Sequence, residues 1–119
     1  MKNPSTLIIN QFIGLVEAEP FENSLVSVEQ IAESIANDID LNVLKKLSHM
    51  FSPEGITLAY ILSESHLIIH TWPELGNIHI DLVTCSARTM REFEKSLNYA
   101  LDDYEIRSVK VKSVDIDKL

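Results

Sequence analysis

Reactive side chains crowd one stretch of this chain. Between Ser65 and Cys85 stand one serine, three histidines (His66, His70 and His79), Asp81 and the only cysteine. Serine, histidine and thiol are the groups proteins use for nucleophilic attack and proton transfer. Histidine, aspartate and cysteine also bind metals, so a metal site has to be considered first. The flanking residues argue against it. Leu67-Ile68-Ile69 and Pro73 make poor helix, so His66 and His70 share one face of a strand, about 13 Å apart at ~3.3 Å per residue. Two ligands of one zinc must each lie about 2 Å from it. No metal is expected.

Counting along the hairpin is more informative. A turn at Pro73-Glu74-Leu75-Gly76 pairs Trp72 with Asn77 and His70 with His79. Continuing the count sets Cys85 opposite Glu64, beside Ser65. A slip of one residue still leaves the thiol near the Glu64–Ser65 peptide bond. His70 lies about 16 Å from Ser65 along the same strand. A Ser65–His70 pair within one chain needs a sharp bend, whereas a symmetric dimer could bring His70 from the other subunit. The plainer reading makes Ser65 a strand cap, the histidines half-buried polar residues and Cys85 a core side chain.

The elements that must position these groups follow from periodicity. Ser5 to Ile13 reads as a strand, and Leu15 to Val26, with Pro20 and Asn23, as a loop. Ser27 reads as a helix N-cap with Gln30 completing a capping box, followed by Val28, Ile31, Ala32 and Ile35 on one face. Strands are expected at Asn42–Phe51, Ile56–Leu62, His66–Trp72 and Asn77–Cys85, with turns at Ser52-Pro53-Glu54-Gly55 and Pro73–Gly76. Arg88–Asp102 reads as a helix with Met90, Phe93, Leu97 and Leu101 on its apolar stripe. Ile106, Val109, Val111 and Val114 suggest a last strand. The order implies an α+β, two-layer sandwich: an antiparallel β-sheet with two helices on one face. The bare face would be covered by dimerisation into a larger sandwich.

With 119 residues and 45% hydrophobic content, the chain suits one domain spanning residues 1–119. Net charge is −8, which lacks the basic footprint of a nucleic-acid binder. No apolar run is long enough to span a bilayer and no signal peptide opens the chain. One cysteine allows no internal disulfide. A cytoplasmic protein is expected, binding neither nucleic acid nor membrane.

Glu64-Ser65-His66-Leu67-Ile68-Ile69-His70-Thr71-Trp72-Pro73-Glu74 resembles the cleavage-site motif of prokaryotic S-adenosylmethionine decarboxylases, which are pyruvoyl-dependent. His49-Met50-Phe51-Ser52-Pro53-Glu54-Gly55 resembles that family's preceding segment, and Asp81-Leu82-Val83-Thr84-Cys85 the segment carrying its thiol. The resemblance implies self-cleavage between Glu64 and Ser65 into residues 1–64 and 65–119. Ser65 would become the pyruvoyl cofactor, the electron sink that takes the substrate amine as a Schiff base. It implies His70 as the processing residue, Cys85 as proton donor, and Thr57 where the family has a processing serine. Phe51 would stack on adenine with His70 on the other side, Glu74 would hold the ribose hydroxyls, and Phe12 would add a second stacking ring. The substrate would be S-adenosylmethionine, decarboxylated for spermidine and other polyamine synthesis. The site would lie between two protomers of a homodimer.

Several positions depart from the family's pattern. Leu75, Asn77, Ile78 and His79 replace aromatic and small residues, Ser86 replaces the usual glycine, and Gln11 an acidic residue. Two other readings follow: a pyruvoyl-dependent ornithine or arginine decarboxylase of the same superfamily, or a non-catalytic dimerising paralogue.

Overall fold

Alternation of buried and half-exposed side chains builds the sheet. Leu67, Ile69 and Thr71 point into a core while His66, Ile68 and His70 point the other way, the two-residue period of a strand. A computed structural model describes residues 7–118. The elements are β1 (Asn10–Ala18), α1 (Leu25–Asp38), β2 (Val43–Met50), β3 (Ile56–Leu62), β4 (Ser65–Trp72), β5 (Asn77–Thr84), α2 (Met90–Ala100) and β6 (Ile106–Ser113). The strands form one sheet in the order β2-β3-β4-β5-β1-β6, and every neighbouring pair is antiparallel. The expected α+β sandwich is what forms.

Val28, Ile31 and Ile35 of α1 and Phe93 and Leu97 of α2 are buried against Val16, Leu58, Ile69, Ile80 and Leu82 of the sheet. Each such side chain is worth roughly 1.5–3 kcal/mol when fully buried. Tyr60 ties α1 down further, its hydroxyl donating to Glu33 Oε1 at 2.8 Å. Burial foremost, then that carboxylate, pushes the Tyr60 phenol well above its usual range. Among the described residues no helix is long and apolar enough to cross a membrane.

The second helix starts at Met90, so Arg88 precedes it rather than opening it, and three further expectations need correction. The first strand runs from Asn10 to Ala18, so Leu15–Ala18 is strand rather than loop; the expected Ser5 and Thr6 lie outside the described residues. Gly14 disguised the pattern. It occupies an inward position with no side chain, because Leu97 Cδ2 lies 2.8 Å from where its Cβ would be. The cap of α1 is Ser24, whose Oγ accepts from the Ser27 N–H at 3.2 Å. The helix starts a turn earlier than Ser27 because Leu25 also packs against the core. Phe12 is the third. It is 3% exposed and stacked on Phe93, with centroids 5.9 Å apart, so its ring is held in the core between sheet and α2. It is not available to a ligand.

The β4–β5 connection is set by Gly76. This residue has φ +72°, and a Cβ there would lie 1.9 Å from the Ala18 carbonyl oxygen. Ala18 in turn donates its N–H to the Gly76 carbonyl at 2.8 Å. Gly76→Ala should therefore destabilise the fold by about 2–4 kcal/mol through backbone displacement. Gly14→Ala, which displaces only the flexible end of Leu97, should cost about 1 kcal/mol. Denaturant melts of the two variants check the ranking.

Candidate active site

The sheet face away from the helices carries the chemistry. Antiparallel register places Thr57 opposite His70 and His70 opposite His79, with His49 opposite Thr57 on the outer side. All four histidines of the chain, His49, His66, His70 and His79, rise from this face. Ile68, Trp72 and Leu15 stand among them, half-buried or exposed.

At one end of β4 lies the Glu64–Ser65 turn. The hairpin count holds: Trp72 pairs with Asn77, His70 with His79 and Ser65 with Thr84. The Cys85 N–H donates to the Glu64 carbonyl at 2.9 Å. That carbonyl belongs to the Glu64–Ser65 peptide, and the amide polarises it in the way a donor stabilises charge growing on an attacked carbonyl. Ser65 has φ +139°, a conformation rare for a residue with a side chain, and such strain costs about 1–3 kcal/mol. A cavity of about 350 Å³ opens onto Ser65 and Cys85, walled by Leu7, Ile9 and Val83. The thiol is exposed.

At the other end of β4 a second cavity of about 340 Å³ is bordered by Phe51, Glu54, Thr57, His70 and Trp72. Thr57 Oγ1 lies 2.9 Å from His70 Nδ1, so these two expected residues meet. Partial burial, and next the neighbouring His79, hold His70 below the ordinary imidazole range, while Asp81 pulls the other way. Neutral imidazole can both give and take a proton. Phe51 is half exposed, its ring edge-on to His49 at 4.5 Å. Glu74 stands on the 3₁₀ turn Pro73–Leu75. A hydrogen bond with Glu74, with some burial and mutual repulsion, raises the Glu54 carboxyl above its usual range. Sequence reasoning passed over Glu54, which the Ser52–Gly55 turn carries beside Phe51.

Between the two ends, His66 Nε2 lies 3.2 Å from Asp81 Oδ2, and Gln11 Nε2 donates to Asp81 Oδ1 at 3.1 Å. Among the described residues no three of His, Cys, Asp and Glu are grouped to hold a metal ion. Strand β4 runs unbroken from Ser65 to Trp72, which keeps His70 about 16 Å from Ser65 within the protomer. One cavity is lined by Glu64, Ser65 and Cys85 and the other by Phe51, Thr57 and His70, while Glu74 lines neither.

Fold and site define a class: a small α+β enzyme domain with a serine and a thiol at one strained turn and a histidine–hydroxyl pair at a second pocket. The sequence profile described as S-adenosylmethionine decarboxylase matches residues 16–115. An S-adenosylmethionine decarboxylase proenzyme of Clostridium botulinum is 33% identical over 96 residues, 81% of this chain and 80% of the relative. One of Moorella thermoacetica is 41% identical over 66 residues, 56% of this chain and 53% of the relative. The crystal structure of the adenosylmethionine decarboxylase from Aquifex aeolicus superposes with a TM-score of 0.75 at 19% identity, covering 92% of this chain and 91% of that one; at that identity the likeness speaks for the fold. The chain belongs to the S-adenosylmethionine decarboxylase family.

The electrostatics of His70 can be tested by NMR titration. Folding favours its neutral form, so His70 weakens the fold as pH falls through the ordinary value of 6.5 and the unfolded chain takes up the proton first. His79→Gln should move the His70 midpoint up, and Asp81→Asn should move it down. Equal midpoints in all three proteins would refute the assignment of causes.

Proposed function

We propose that this chain is a precursor that cuts itself between Glu64 and Ser65 and then decarboxylates S-adenosylmethionine, as its family name implies, for polyamine synthesis. The observation that carries the reading is the Ser65 turn: a strained serine whose preceding carbonyl is polarised by the Cys85 amide. In the cutting step the Ser65 Oγ attacks the Glu64 carbonyl carbon and the amide nitrogen leaves, giving an ester. Loss of the Ser65 Cα proton with expulsion of the Glu64 carboxylate gives dehydroalanine, and water replaces its nitrogen with oxygen, releasing ammonia. The products are residues 1–64 and a chain of residues 65–119 headed by a pyruvoyl group. The new head has a trigonal carbon and no residue before it, so the strain at Ser65 is released.

The residues around Ser65 suit such a group. The cavity beside it is mostly apolar, and the exposed Cys85 thiol opens into the same space. Once formed, the pyruvoyl ketone supplies the electron sink for loss of carbon dioxide. The chain's own part is to place groups around it. Cys85 is read as the proton donor to the product carbon. Phe51 and His70 are read as walls for the adenine, and Glu74 as the partner of the ribose hydroxyls. His70 and Thr57 are read as the pair that handles the proton in the elimination. Because the two cavities sit at opposite ends of β4, a homodimer joined through the open faces would let each Ser65–Cys85 end meet its partner's Phe51–His70 end. The single unpaired cysteine suits a reducing, cytoplasmic setting.

Intact mass spectrometry of the denatured protein tests the cut. The expected result is two fragments meeting at Glu64–Ser65, the second lighter by one ammonia than simple hydrolysis gives. A single full-length mass after long incubation would sink the reading. Release of carbon dioxide from S-adenosylmethionine, but not from ornithine or arginine, tests the substrate. Cys85→Ala should still cut itself yet lose about 10²-fold or more in turnover, the usual worth of a positioned proton donor. His70→Ala should stall before the elimination.

A further inference from the structure

Arg88 stands outside the helix expected to contain it, in the loop between β5 and α2. It uses all five guanidinium N–H groups. Nε donates to the Ile39 carbonyl at 3.2 Å and Nη2 to the Asp40 carbonyl at 3.1 Å, both at the end of α1. Nη1 donates to Ser86 Oγ at 3.0 Å and to the Ala87 carbonyl at 3.1 Å. Nη2 also reaches Glu64 Oε1 at 3.1 Å. Ser86 Oγ donates to the other oxygen of the same carboxylate. The Arg88 and Glu64 side chains are only 18% and 16% exposed, so water screens the pair far less than a surface ion pair.

Both oxygens of the Glu64 carboxylate are thus held by the loop that follows Cys85, and the Cys85 amide holds the Glu64 main-chain carbonyl. One residue on, the backbone is forced to φ +139° at Ser65. Among the described residues, Arg88 and Ser86 are the side chains that hold the Glu64 carboxylate. The Ser86 main chain is tied down in turn: its carbonyl accepts from Asn10 Nδ2 at 2.7 Å and from Thr84 Oγ1 at 3.2 Å.

We propose that Arg88, with Ser86, is a positioning residue for self-cleavage, clamping the Glu64 carboxylate so that the Ser65 hydroxyl faces the carbonyl held by Cys85. This rests on the self-cleaving reading above. The clamp acts on the first step, attack on the peptide carbonyl, and not on the elimination that follows. The site also explains why a serine can stand where the family usually has glycine: it supplies the second bond to Glu64.

The test follows fresh precursor by intact mass, with and without hydroxylamine, which cuts esters and spares amides. The parent should cleave. Arg88→Ala should cleave at least tenfold more slowly, and hydroxylamine should not restore the rate, because too little ester forms. His70→Ala should stall and be cut by hydroxylamine, marking the later step. A general loss of folding would also leave no ester, so Arg88→Ala must keep the parent's circular dichroism and denaturant melt for its slow cleavage to count for the clamp. Glu64→Gln, which keeps shape and loses charge, should slow cleavage a few-fold and covers the case in which Arg88→Ala fails to fold. If Arg88→Ala and Glu64→Gln cleave at the parent rate, or hydroxylamine rescues Arg88→Ala, the assignment is wrong while self-cleavage stands. A parent that stays whole overturns both.

Discussion

The bond from the Cys85 amide to the Glu64 carbonyl exists because the Pro73–Gly76 turn fixes the residue count between β4 and β5. A shift of one residue would send every side chain of a strand to the opposite face. A slip of β4 would drive His66 and His70 into the core and expel Leu67 and Ile69, and a slip of β5 would do the same with His79 and Asp81 against Ile80 and Leu82. The core therefore enforces the register, and the register places a donor on one particular peptide bond. Gly76 is the pin: only a residue without Cβ passes so close to Ala18.

The same sheet meets two demands on its two faces. One face takes α1 and α2 and is sealed with aliphatic and aromatic side chains. The other mixes Ile68, Trp72 and Leu15 with four histidines. Such a surface is too polar for an ordinary core and too apolar to be left in water without cost. A protein–protein interface, with apolar anchors and placed polar groups, suits that mixture.

Much of this was legible from spacing. The period of two in Leu67, Ile69 and Thr71, the Pro–Gly turn and the count back from Asn77 locate Ser65, His70 and Cys85 correctly relative to one another. Thr57 and His70 were each singled out through family likeness, and their contact across β3 and β4 is added by the structure. What could not be read were contacts between segments distant in sequence. Phe12 looked like a free ring because nothing nearby in sequence names Phe93 as its cover. Gly14 broke the alternation of β1 because Leu97, 83 positions later, fills its place. Arg88 was absorbed into a helix it precedes, since its five partners come from three separate stretches.

Strand order carries a last consequence. β1 belongs to the part of the chain before Ser65, yet it lies between β5 and β6, which come after it. β3 and β4 meet across the same divide. A cut at Glu64–Ser65 would thus leave two polypeptides interleaved through three ladders, β3 with β4, β5 with β1, and β1 with β6. Neither could leave without opening the shared core. Folding would have to precede the cut, since only the uncut chain has both halves at a fixed effective concentration. A protein so cut would be an obligate heterodimer whose survival rests on slow unfolding, and whose recovery after unfolding depends on how much of it is present.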